Sequence, residues 1–69
     1  MIVTLDGVTY AFHPGAQVRH LVARLPEDGQ DRIRRGDAVI TDAEGNELGE
    51  GGALHAGAEY HLSPTRERN

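Results

Sequence analysis

Apolar and polar residues alternate along the first twelve positions, and the alternation is broken once, by Asp6-Gly7. An Asp-Gly pair between two alternating runs predicts a two-residue hairpin turn, because both central residues of that turn need positive φ. Such a short loop fixes the register: Leu5 faces Val8, Val3 faces Tyr10 and Met1 faces Phe12. These six residues form one apolar face, and Ile2, Thr4, Thr9 and Ala11 form the other. A slip of one residue would turn the whole apolar set into water, so the register is strongly specified. His13-Pro14-Gly15 ends the hairpin. Val18, Leu21, Val22 and Leu25 then recur at i, i+3, i+4 and i+7, which predicts a short amphipathic helix. Gln17 is a weak N-cap for it, and Pro26 stops it.

The pattern weakens after Pro26. Residues 27–36 are polar except for Ile33, and read as a loop with one helical turn. Ala38-Val39-Ile40-Thr41 predicts a third strand, Ala43-Glu44-Gly45 a three-residue hairpin loop, and Asn46-Glu47-Leu48 a short fourth strand. Residues 49–52 read as a flexible glycine loop, Leu54 as a lone anchor, and Glu59-Tyr60-His61-Leu62 as a last strand. Ser63 to Asn69 holds no apolar residue and reads as a frayed tail. The expectation is one α+β domain over residues 1–62 with a flexible tail over 63–69, the helix covering the apolar face of the hairpin.

With 69 residues the chain has room for one thin core and little for a deep cleft, so the expectation is a protein that is not an enzyme. The absence of cysteine removes disulfides, thiolate catalysis and cysteine–metal sites. No apolar run is long enough to span a membrane, and the first residues lack the basic and apolar regions of a signal peptide, so the expected location is the cytoplasm. A net charge of −4 argues against nucleic-acid binding. All seven basic residues are arginine, and none lies between Gly36 and Thr65, where six acids fall. One part of the surface is therefore expected to be acidic.

The order of elements resembles the β-grasp, or ubiquitin-like, fold. More narrowly it resembles the small sulfur-carrier proteins of thiamin and molybdopterin biosynthesis. The resemblance rests on the opening strand with Asp6-Gly7, on Tyr10, on Pro14-Gly15-Ala16 leading into Val18 and Leu21, and on Leu54-His55-Ala56-Gly57 leading into Tyr60-His61-Leu62. It covers roughly residues 1–25 and 54–62. It implies one helix packed on a mixed sheet of four or five strands, with the last strand parallel to the first in mid-sheet. Tyr60 and Leu62 would then lie under the helix, with Glu59 and His61 facing outward. It also implies a protein partner, in the first place an adenylating, E1-like enzyme. The carriers react through a C-terminal Gly-Gly, whereas here Arg66-Glu67-Arg68-Asn69 closes the sequence and the sole Gly-Gly is Gly51-Gly52. The resemblance therefore implies the fold without supplying the reactive residue.

No catalytic set emerges from the residues. The four histidines, His13, His20, His55 and His61, lack ligand spacing and read as isolated surface residues, so neither a metal nor a cofactor is expected. Asp42, Glu44 and Asn46 begin a calcium-loop pattern, but the glycine and glutamate it needs later are Glu47 and Ala53. Gly49-Glu50-Gly51-Gly52 lacks the ending of a phosphate loop. Arg32, Arg34 and Arg35 form a candidate patch for an anion or an acidic partner. The remaining candidate is the outer sheet face, carrying Ile2, Thr4, His61 and one of Val39 or Ile40, since adjacent strand residues point opposite ways. The expected function is a monomeric, non-catalytic binding module using that face. The alternative is a sulfur carrier, or an accessory subunit derived from one.

Overall fold

The turn at Asp6-Gly7 forms as the composition requires: both residues have positive φ, 51° and 84°. It joins β1 (Ile2–Leu5) to β2 (Val8–Ala11) in the expected register, Leu5 opposite Val8 and Val3 opposite Tyr10. Met1 and Phe12 extend the ladder by exchanging backbone hydrogen bonds. The computed structural model describes residues 1–65. The later elements are α1 (Val18–Ala23), α2 (Glu27–Arg34), β3 (Ala38–Asp42), β4 (Glu47–Leu48) and β5 (Glu59–Pro64). The five strands form one mixed sheet in the order β2-β1-β5-β3-β4. β5 runs parallel to β1 and antiparallel to β3, so the first and last strands lie side by side in the interior of the sheet.

Val18, Leu21 and Leu25 from the predicted stripe are buried against Val3, Leu5, Ile40, Leu54 and Tyr60. α1 has six residues, too few to be stable alone, and its ends are completed from elsewhere. Val18 N–H donates to the Gly52 carbonyl at 2.8 Å and Arg19 N–H to the Glu50 carbonyl at 3.0 Å. Gln17 N–H donates to Nδ1 of His20 at 2.8 Å. The glycine loop expected to be flexible is thus tied to the start of α1. A Cβ added at Gly52 would meet the Gly49 carbonyl at 3.3 Å and Val18 Cγ2 at 3.6 Å.

Two other segments differ from expectation. Residues 27–36 hold a two-turn helix, α2, where a loop with one turn was expected. Pro26 both ends α1 and begins α2. Glu27 and Asp28 stand in the first turn and Arg32 and Arg34 in the last, each favourable with the helix dipole. Gly36, at φ 80°, closes α2: its N–H donates to Ile33 and that of Asp37 to Arg32, a Schellman end. Gln30 Nε2 reaches back to the carbonyls of Ala23 and Leu25, completing the end of α1. α2 escapes the hydrophobic pattern because it packs through Gly29, which lies buried against Leu25 and Leu62. The second difference is at the end of the chain. β5 continues through Ser63 and Pro64, opposite Val39 and Ala38, and Thr65 N–H donates to the Asp37 carbonyl at 3.2 Å. These residues lack apolar side chains but belong to a strand whose ladder β3 supplies. The rest of the expected tail, Arg66 to Asn69, lies outside the described residues.

Gly29 inside α2 and Gly36 just past its end should respond oppositely to alanine. At Gly29 a Cβ would sit at ordinary contact distance, 3.6 Å from Leu25 and Leu62, and glycine inside a helix is costly. Gly29→Ala should therefore stabilise the fold by about 0.5–1 kcal/mol. Gly36→Ala forces a Cβ into the left-handed region and should destabilise by about 1 kcal/mol. Urea unfolding of both variants beside the parent measures the two signs.

Candidate functional site

β1 carries Ile2 and Thr4 on the face opposite the core, and β5 carries Glu59, His61 and Ser63 there, because strand residues alternate. On β3, Val39 pairs with Ser63 and Thr41 with His61, so Val39 and Thr41 share this face. Ile40, a candidate for it, points the other way. It is 2% exposed, in the core, with Leu48 and Leu62 as its strand partners. The register of β3 against β5 decides this parity, and Val39 is the outward residue of the pair.

The face is therefore assembled from Ile2, Thr4, Val39 and His61, joined by Thr41, Ser63, Thr9 and Ala11. Its two aliphatic groups stand apart. Ile2 is level with Gly57, just before β5, and Val39 with Ser63, a separation of about 20 Å along the strands. Between them lies a polar centre. Thr41 and Ser63 share a 2.8 Å hydroxyl hydrogen bond, and Thr41 is only 7% exposed although it faces outward. His61 Nδ1 lies 3.1 Å from a carboxylate oxygen of Asp6, while the other oxygen of Asp6 accepts from Leu62 N–H. Asp6 thus continues the β1–β5 ladder past the turn and orients His61. Ile2 is half exposed at 51%, and His61 is exposed.

The arginine patch does not converge in the same way. Arg34 pairs with Asp31, and Arg35 Nε lies 3.4 Å from Asp37. Arg32 has no carboxylate partner among the described residues and borders a shallow groove of about 250 Å³ between α2 and the hairpin turn, lined by Val8, Tyr10, Leu25 and Leu62. A larger cleft of about 760 Å³ opens between the β3–β4 hairpin and residues 52–60, with Asp42, Glu44, His55 and Glu59 around Leu48 and Tyr60. The Tyr60 hydroxyl there accepts from His55 N–H. Neither depression brings a nucleophile beside a base.

Several residues that invited a chemical reading have structural work. His20 accepts a backbone N–H at Nδ1, which leaves Nε2 as a donor in the neutral ring rather than a ligand. The N–H groups at the start of α1 are taken by the glycine loop, which leaves no phosphate cradle there. Asp42 accepts from Glu44 N–H and Asn46 N–H, each at 2.9 Å, and from the Asn46 side chain. Its carboxylate oxygens hold the turn. Among the described residues no group of three or more His, Cys, Asp or Glu side chains is placed to hold a metal ion. No helix among them is long and apolar enough to cross a membrane. Compared with protein-family models, curated proteins and solved structures, the chain matches none.

The Asn46 backbone N–H, followed by the other donors at the turn, holds the Asp42 carboxyl below the usual carboxylate range. A folded pKa below the unfolded one adds stability above the unfolded value, about 3.9, and that stability is lost as pH falls through the folded value. Acidification through and below about pH 4 should therefore loosen the turn at residues 42–46. NMR at stepped pH should show the Glu44 and Asn46 amide shifts following the Asp42 titration. Asp42→Asn should abolish that response at the two amides.

Proposed function

We propose that this chain is a β-grasp-like, ubiquitin-like module that binds a protein partner through its outer sheet face and carries out no catalysis itself. One observation carries the reading. Both helices pack on the same side of the five-stranded sheet, and the opposite side is left uncovered with Ile2 half exposed. The order of strands, with β1 and β5 parallel at the centre, is the arrangement that the resemblance implies. The inference from such a fold to partner binding is by analogy. Ile2, Thr4, Val39 and His61 offer aliphatic contact at two ends and hydrogen bonding between them, a chemistry suited to a mixed protein surface rather than a small substrate.

The test is capture of partners from the native host by the full chain and by an Ile2→Asp/His61→Ala variant. The circular dichroism and unfolding midpoint of the variant should stay close to the parent, and its captured partner should fall at least tenfold. If the fold and every captured interaction survive, the outer face is not the docking surface.

The carrier resemblance gives a second reading of the same face: an accessory subunit that occupies the docking site of a carrier on an adenylating enzyme. Internal release at Gly51-Gly52 is not compatible with the fold, since it would cut off β5 and remove the capping loop of α1. The accessory reading predicts that this chain competes with an authentic sulfur carrier for its adenylating enzyme. Unchanged carrier adenylation in a large excess of this chain dismisses it.

A further inference from the structure

Neither helix contributes a residue to the lining of the 760 Å³ cleft. Its floor belongs to the core side of the sheet. Leu48 stands opposite Ile40 and Asp42 opposite Tyr60, so these four side chains share that side. Ile40 and Tyr60 are buried, but Leu48 and Ala58 are only half-buried and leave an apolar floor open to solvent. The rim is acidic. Glu44 stands on the β3–β4 loop and Glu59 at the start of β5. Both are exposed, and neither has an ion-pair partner among the described residues. Asp42 adds a fixed negative charge, since the turn at residues 42–46 already uses its oxygens. No arginine lines the cleft, and none occurs from Asp37 to Thr65. A donor is also open. Tyr60 is 2% exposed, and its hydroxyl accepts from His55 N–H at 3.0 Å, yet no described residue accepts the hydroxyl proton.

We propose that this cleft binds an arginine side chain presented by an extended basic segment of a partner protein. The apolar stem lies over Leu48 and Ala58, and the guanidinium meets the carboxylates of Glu44 and Glu59. Three features of the cleft select that occupant. An apolar floor beneath a charged rim suits a side chain with a long hydrocarbon stem and a cationic head. Carboxylates without a cation favour a basic segment and repel an acidic one. The open Tyr60 hydroxyl calls for an acceptor, which a peptide carbonyl beside the arginine provides. Arginine suits the rim better than lysine, because its planar fork can bond two carboxylates where an ammonium acts as a point charge. The cleft stands apart from Ile2 and Val39, so the proposal does not rest on docking at the outer sheet face. Exposed ion pairs contribute about 0.2–1 kcal/mol each, so a single arginine is bound weakly, with a Kd of about 0.1–1 mM.

The test is an NMR titration of the isotope-labelled full chain with the capped pentapeptide Gly-Ala-Arg-Ala-Gly. Peptide is added to about 5 mM, above the expected Kd. The ionic strength is about 0.15 M, which screens diffuse attraction. The Leu48, Ala58, Glu59 and Tyr60 amides should shift together and saturate. The same peptide with citrulline, a neutral isostere of arginine, should not produce these shifts. A Glu44→Gln/Glu59→Gln variant changes only exposed side chains and should keep the parent unfolding midpoint. Its Kd should rise about three- to tenfold. The Ile2→Asp/His61→Ala variant should bind the peptide as the parent does, which separates this site from the outer face. The proposal is overturned if no saturable shift appears at the cleft, if citrulline serves as well as arginine, or if the double glutamine variant binds unchanged. Shifts spread over all the acidic residues would mean diffuse charge attraction and would overturn it. So would the cleft shifts arising when the chain is concentrated without peptide, which would make a second copy the occupant.

Discussion

β5 lies between β1 and β3, and the rest of the architecture follows from that placement. β5 is parallel to β1, and parallel neighbours cannot be joined by a tight turn. The intervening chain, which contributes β2, both helices, β3 and β4, has to cross the sheet before it returns. It crosses on the side where Val3, Leu5, Ile40 and Tyr60 lie, because α1 has an apolar stripe to bury there. Both helices consequently occupy one face, and the other face stays open. The open face of the sheet is thus a consequence of how the first and last strands pair.

So small a core leaves little to hold the connections in place, and backbone capping does much of that work. The glycine loop at residues 49–52 supplies the carbonyls that the first turn of α1 needs. Leu54 N–H donates to Ala16 at 3.0 Å, which fixes the same loop to the segment before the helix. Gln30 of α2 caps the end of α1 through Nε2, so each helix depends on its neighbour. Among the described residues no buried side-chain polar atom lacks a hydrogen-bond partner. A short helix that would not persist alone is stabilised by these tertiary partners as much as by its apolar stripe.

The same economy commits several residues with chemical potential to structural contacts. A carboxylate that closes an Asx turn, a histidine that caps a helix and an arginine paired with an adjacent aspartate have their donors or acceptors committed. Arg24 illustrates the point: it lies 5.6 Å from the Tyr10 ring and 5.2 Å from that of Phe12 while bonding the Ala11 carbonyl. Its charge, its planar stacking surface and its donors all serve the edge of the sheet. What remains open among the described residues is the outer face of the sheet.

Local patterning determined the hairpin, its register and the position of α1, because a two-residue turn and a helical repeat act over a few residues. It also placed Val3, Leu5, Leu54 and Tyr60 in the core, whereas Val8, on the same face of the hairpin, stays 55% exposed. Tertiary structure alone decided the remainder. Whether Val39 or Ile40 faces outward depends on the register of β3 against β5, a partner more than twenty positions away in sequence. The extent of α2 depends on close approach at Gly29, and a glycine has no side chain to announce its burial. Ser63 and Pro64 enter a strand only because β3 offers them a ladder. The candidate face was legible at Ile2, Thr4 and His61 because strand alternation is local. Its polar centre of Thr41, Ser63 and Asp6 was not, because three distant segments of the chain have to meet before those groups can bond.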